Sequence, residues 1–103
     1  LHLLIHPYGS YGPSYIMRMI KGNFARKYNK IYNTQGHVWQ RRYYDKVILD
    51  SLGILNVLEY MHNNPVRSCL VFSPDEYRFS SYNFYIEKRN GTDGILEIDR
   101  FGL

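Results

Sequence analysis

Apolar residues recur at Ile16, Ile20, Phe24, Tyr28 and Ile31, with Met17 alongside. Steps of four, with a last step of three, mark one face of a helix, so this pattern predicts a long helix over residues 14–32. Pro13 or Ser14 suits its first turn. Residues 33–36 read as the turn that closes it. Arg18, Lys21, Arg26, Lys27 and Lys30 project around the remaining surface without forming one stripe. A solvated face and a nucleic-acid-binding face both account for them.

A second helical pattern begins where Asp50 or Ser51 can cap. Leu52, Ile54, Leu55, Val57, Leu58 and Met61 occupy one broad arc at about 100° per residue. Pro65 disfavours helical geometry in the residue before it, so this helix is expected to stop near Asn64. Asn56, Tyr60 and Asn64 step by four on a stripe outside the apolar arc. The core does not need a tyrosine there. It presents a hydroxyl with an amide one turn away on each side. An ordinary surface tyrosine beside helix-end asparagines fits the same spacing.

Residues 1–6 form a short apolar run, and residues 41–49 are rich in aromatic and β-branched types; both read as strands. His2 falls on the opposite face from Leu1 and Leu3 if the first run alternates. A strand histidine of that kind is either a satisfied core residue or a ligand. His37 lies between a turn and Trp39, and His62 points away from the Tyr60 stripe. Strands followed by helices give an α+β class.

Composition narrows the partner. The 103-residue chain fits one domain, and its 45% hydrophobic content excludes a disordered chain. One cysteine, Cys69, excludes an internal disulfide framework and a cysteine-rich zinc site. No apolar run approaches the length of a membrane span, so no membrane partner is expected and a cytoplasmic location is. The net charge of +4 leans toward a polyanion. The 11 Tyr, 5 Phe and 1 Trp often sit beside cations, as in Arg41-Arg42-Tyr43-Tyr44. Rings for base stacking beside cations for phosphates are what single-strand binders combine. Arg18, Lys21, Lys30, Arg41 and Arg42 are therefore the candidate DNA contacts.

Four blocks then point to a family. Glu59-Tyr60-Met61-His62-Asn63-Asn64-Pro65-Val66-Arg67 resembles the "Tyr-Ile-x-x-Asn-Pro-Val-Arg/Lys" signature of REP-associated tyrosine transposases. These are relatives of the small single-strand insertion-sequence transposases of the HUH class. Gly36-His37-Val38-Trp39-Gln40-Arg41-Arg42-Tyr43-Tyr44 is similar to their "Gly-His-Leu-Trp-Gln-x-Arg-Phe/Tyr" segment. Asp75-Glu76-Tyr77-Arg78-Phe79-Ser80-Ser81-Tyr82 is similar to "Asp-Tyr-Arg-Trp-Ser-Ser-Tyr", and Leu1-His2-Leu3-Leu4-Ile5 to the end of "His-x-His-Leu-Leu". Each block is short. Their order and spacing over residues 1–82 carry the resemblance.

The resemblance implies a DNA transposase that cleaves and rejoins single-stranded DNA through a 5′-phosphotyrosine intermediate. It implies Tyr60 as nucleophile, with His2 and Asn64 as ligands of a divalent metal, Mg²⁺ or Mn²⁺. The first histidine of the pair would stand one residue before Leu1, behind a strand–helix–strand portion. The implied fold is a truncated ferredoxin-like sandwich: two long helices packed on a small antiparallel sheet. It would be a single catalytic domain over residues 1–103, with a tail over 83–103. An uncovered sheet edge invites self-association, so a homodimer is expected, with folded single-strand element ends as the DNA partner. Two other classes remain open: a non-catalytic single-strand nucleic-acid-binding remnant, and an inert remnant that binds nothing.

Overall fold

The structure is a computed structural model that describes residues 1–87. Its elements are α1 (Pro13–Tyr32), α2 (Ser51–Arg67), a short 3₁₀ turn (Pro74–Glu76) and α3 (Tyr82–Glu87). They fall into two compact units: residues 3–46, and residues 1–2 together with the chain from Val47 onward.

In the first unit, α1 starts where the sequence allows it. Gly12 caps in an extended conformation and Pro13 takes the first helical position, where its missing N–H costs nothing. The helix ends at Asn33, whose φ of 50° is left-handed, a conformation asparagine tolerates better than most residues. Asn29 staples the turn that follows. Its Oδ1 accepts from Thr34 Oγ1 at 2.7 Å, and its Nδ2 donates to the Gly36 carbonyl at 3.1 Å. Trp39 then folds back on the helix: its Nε1 donates to the Lys21 carbonyl at 3.0 Å, and its ring meets Phe24 edge-on at 5.2 Å. No described residue of this unit is fully buried, and Phe24, Tyr28 and Ile31 stay exposed along the apolar stripe.

In the second unit, α2 begins at Asp50, whose carboxylate accepts from the Gly53 N–H at 2.7 Å. The helix runs through Pro65 to Arg67 instead of stopping near Asn64. The closure of the helix explains the difference. Cys69 adopts a left-handed φ of 58°, and two reverse bonds seal the end: Leu70 N–H to the Pro65 carbonyl at 2.9 Å and Cys69 N–H to the Val66 carbonyl at 3.0 Å. This is a Schellman closure, and it draws Pro65 into the last turn as an acceptor. Proline supplies no donor there, but its carbonyl still accepts and its ring is buried.

The buried face of α2 is Leu58, His62 and Pro65, while Leu52 and Leu55 from the expected apolar arc are exposed. The 3₁₀ turn packs against both α2 and α3. Asn83 Nδ2 donates to the Asp75 carbonyl at 3.0 Å, and Phe84 on α3 is 4% exposed. Residues 83–87 of the expected tail are therefore helical, and the rest of it lies outside the described residues.

The expected α+β sandwich is not what the described residues form. They contain three helices, the 3₁₀ turn and no strand. Residues 1–6 and 41–49 are irregular, and Leu49 is 92% exposed. An extended segment becomes a strand only when a neighbouring backbone pairs with it. Among the described residues no backbone hydrogen bond supplies such a ladder to either segment. Aromatic and β-branched composition expresses a preference for a pleated, half-buried surface and cannot create the partner. The sheet edge on which the homodimer expectation rested is accordingly absent from the described residues.

Candidate active site

The second unit presents one side of α2 to its core and the other to solvent. Tyr60 is two residues from Leu58, a rotation of about 200°, which carries it away from the core. It is 48% exposed. Asn64 and Arg67 follow it at steps of four and seven, so the three span an arc of only about 60°. Asn64 is half-buried, and its backbone carbonyl accepts the Ser68 N–H at 2.9 Å.

Two further side chains reach the Tyr60 ring. The His2 imidazole meets it in an edge-to-face arrangement, with ring centroids 5.7 Å apart and planes at 81°. The Arg67 guanidinium lies 5.3 Å from the ring centroid. The structure thus gathers His2, Tyr60 and Arg67, with Asn64 on the same helix face as Tyr60. A phenol, an imidazole, an amide and a guanidinium at one exposed place form a donor set suited to a phosphate.

The nearness of Arg67 to Tyr60 does not follow from a helix that stops at Asn64. Ending the helix at Asn64 removes Arg67 from the Tyr60 stripe. Once the helix continues through Pro65, the seven-residue spacing returns it there. The helical arithmetic was available; the bias against helix before proline concealed it.

His62 lies on the other flank, as its spacing predicts. It is 9% exposed, shares a 2.8 Å hydrogen bond between Nε2 and Ser81 Oγ, and meets the rings of Tyr82 at 5.5 Å and Tyr85 at 5.6 Å. Burial holds its pKa below the ordinary 6.5, so the ring is neutral at pH 7. It joins α2 to the chain around α3 and takes no part in the Tyr60 face.

Among the described residues, no three His, Cys, Asp or Glu side chains gather into a metal site. The available donors near Tyr60 are the His2 imidazole, in ring contact with it, and the Asn64 amide, one helical turn further on. Hard divalent ions take oxygen ligands such as an amide carbonyl, and Mg²⁺ in particular is commonly held by few protein groups together with substrate phosphates and water. Of the groups at this face, the Asn64 amide oxygen and a His2 ring nitrogen are the ones able to coordinate an ion.

The candidate DNA contacts lie in the first unit. Lys21 is engaged internally: its Nζ donates to the Gln40 carbonyl at 3.1 Å and sits 5.4 Å from the Tyr43 ring and 6.0 Å from Trp39. Arg18 lies over Tyr15 at 5.5 Å. Lys30, Arg41 and Arg42 are exposed. Arg18 and Lys30 are separated by about 18 Å along α1 and by about 120° around it, so they do not share a face. No described helix is long and apolar enough to cross a membrane.

The family model described as "Transposase IS200 like" matches residues 1–64, well over half of the chain and a stretch that holds His2, Tyr60 and Asn64. The class is thus that of the transposases. The chain belongs to the IS200-like transposase family. It is also 41% identical over 44 residues to an uncharacterized protein of Haemophilus influenzae (strain ATCC 51907 / DSM 11121 / KW20 / Rd). That overlap covers 43% of this chain and 22% of the relative, so the match spans about a fifth of the curated relative. No solved structure matches the chain.

Proposed function

We propose that Tyr60 is the nucleophile of a reaction that cleaves and rejoins single-stranded DNA. The observation that carries this reading is the contact of His2 with Tyr60, which joins the two ends of the family-matched stretch at one exposed helix face. In the reaction, Tyr60 Oη attacks a backbone phosphorus. An O–P bond to the tyrosine forms and the P–O3′ bond breaks. The phenolic proton passes to solvent, and the departing 3′ oxygen takes one from solvent. The products are a 5′-phosphotyrosine link and a free 3′-hydroxyl, and attack by another 3′-hydroxyl reverses the sequence. Phosphoryl transfer of this kind depends on positioning and on charge stabilisation more than on covalent chemistry by the protein. His2 and Asn64 would hold Mg²⁺ or Mn²⁺ beside Tyr60, and when bound such an ion polarises the scissile phosphate. The Tyr60 ring is contacted from two sides, by His2 and Arg67, which narrows the rotamers it samples before attack.

The test uses the full-length gene product, Mg²⁺ or Mn²⁺, and a labelled single strand carrying the element's end. A protein–DNA species that survives denaturation is the expected result. Tyr60→Phe should abolish it while leaving binding nearly intact, because the ring and its contacts remain. Asn64→Ala and His2→Ala should lower its yield, with excess Mn²⁺ restoring part of it. An adduct that persists in Tyr60→Phe refutes the assignment and turns attention to Tyr43 or Tyr44. Saturable binding with no adduct from the wild type supports the non-catalytic binding module instead.

A further inference from the structure

Arg67 occupies the last turn of α2, where a cation is ordinarily explained by the exposed carbonyls and dipole of a helix end. Here three of those carbonyls are already occupied. The Asn64, Pro65 and Val66 carbonyls each accept a backbone N–H from Ser68, Leu70 or Cys69. The guanidinium instead turns back along the helix to the Tyr60 ring, at 5.3 Å from its centroid. Among the described residues its one recorded partner is that ring, and no carboxylate pairs with it. A cation over an exposed ring is a weak contact, and it leaves the planar fork of N–H donors free to bind.

The remaining groups at this face, Tyr60, Asn64 and His2, include no other permanent positive charge. A phosphodiester brought to the Tyr60 hydroxyl carries a negative charge that must be met there. Guanidinium forks meet phosphate oxygens through paired, charge-assisted hydrogen bonds of about 2.7–2.9 Å. Arg67 lies beyond the family-matched stretch, and the signature block that ends on it fixes a cation at this position without giving it a role.

We propose that Arg67 binds the scissile phosphate and holds it against Tyr60. This rests on the Tyr60 reading above and adds the group that contacts the reacting phosphate. Because Arg67 and Tyr60 share a helix face, the helix itself sets their spacing. The same guanidinium that orients the ring in the free protein shifts onto the phosphate when DNA arrives.

The experiment first maps the cleavage position with wild-type, full-length protein. Binding is then measured in a Tyr60→Phe background, so that the strand stays intact, and in chelator, so that no metal contributes. Two strands are compared: one unmodified, and one with a single neutral methylphosphonate at the cleavage position. Protein with Arg67 should bind the unmodified strand on the order of tenfold more tightly than the neutral one. Arg67→Ala and Arg67→Gln should lose that preference, binding both strands with the weaker affinity, and Arg67→Lys should keep part of it. A role confined to packing or helix stability lowers both affinities together and preserves their ratio; that outcome overturns the proposal, as does an Arg67→Ala protein that still discriminates. If the wild type forms no adduct on any end-containing strand, the Tyr60 reading falls and this proposal falls with it. An adduct dependent on Tyr60 but indifferent to Arg67 removes this proposal alone.

Discussion

His62→Ala should cost the second unit about 2–4 kcal/mol. The side chain is 9% exposed and makes three kinds of contact. Its 2.8 Å bond to Ser81 Oγ contributes about 1 kcal/mol, and loss of the ring leaves that hydroxyl to find water. The edge-on contact with Tyr82 at 5.5 Å and the tilted contact with Tyr85 at 5.6 Å add about 0.5–1.5 kcal/mol each. The void left beneath them adds to the loss as far as the site fails to collapse. His62→Gln keeps a group able to bond Ser81 and should cost about half as much. Urea unfolding followed by far-UV circular dichroism measures both. A loss under about 0.5 kcal/mol for His62→Ala, the size of an ordinary surface change, refutes the reasoning. The pH dependence has a definite sign. Burial lowers the folded-state pKa below the 6.5 of the unfolded chain, so the unfolded state binds more protons between the two values. The His62 contribution to stability is therefore complete above about pH 6.5, declines as pH falls toward the folded value, and levels off below it. The slope in that window does not exceed about 1.4 kcal/mol per pH unit. Wild type minus His62→Gln isolates it from other titrating groups, and a difference that grows as pH falls reverses the sign and overturns the argument.

Changing Arg41 and Arg42 to Ala should weaken single-strand binding and flatten the plot of log affinity against log salt by about 0.7 per lost phosphate contact; an unchanged slope moves the DNA surface elsewhere. Gly53→Ala should fail to stabilise α2, although alanine favours a helix by about 1 kcal/mol. An added Cβ would stand 2.8 Å from Ile48 Cγ2 and 3.0 Å from the Asp50 Oδ1 that caps the helix, so the gain is spent on disturbing the cap. A rise in thermal midpoint of several degrees for Gly53→Ala contradicts this.

Much of this protein was legible before any coordinates. Apolar stepping through Ile16, Ile20, Phe24 and Tyr28 located α1, because period and length are local properties of a helix. Pro13 or Ser14, and Asp50 or Ser51, marked where the helices start, since capping depends on a few adjacent residues. The spacing of Tyr60 and Asn64 put both on one face, and the ordered motifs gave the family. What sequence could not decide were matters of partnership. Whether residues 1–6 and 41–49 become strands depends on a backbone elsewhere, and composition carries no information about its presence. Which side of α2 is buried was decided by what packs there: His62, polar by type, lies inside with Ser81, Tyr82 and Tyr85 around it, while Leu52 and Leu55 face solvent. The helix passes Pro65 because the left-handed Cys69 lets the chain close back on the Pro65 and Val66 carbonyls, a fact of three-dimensional closure. That same closure keeps Arg67 in helical register with Tyr60, and only the folded chain sets the guanidinium against the ring.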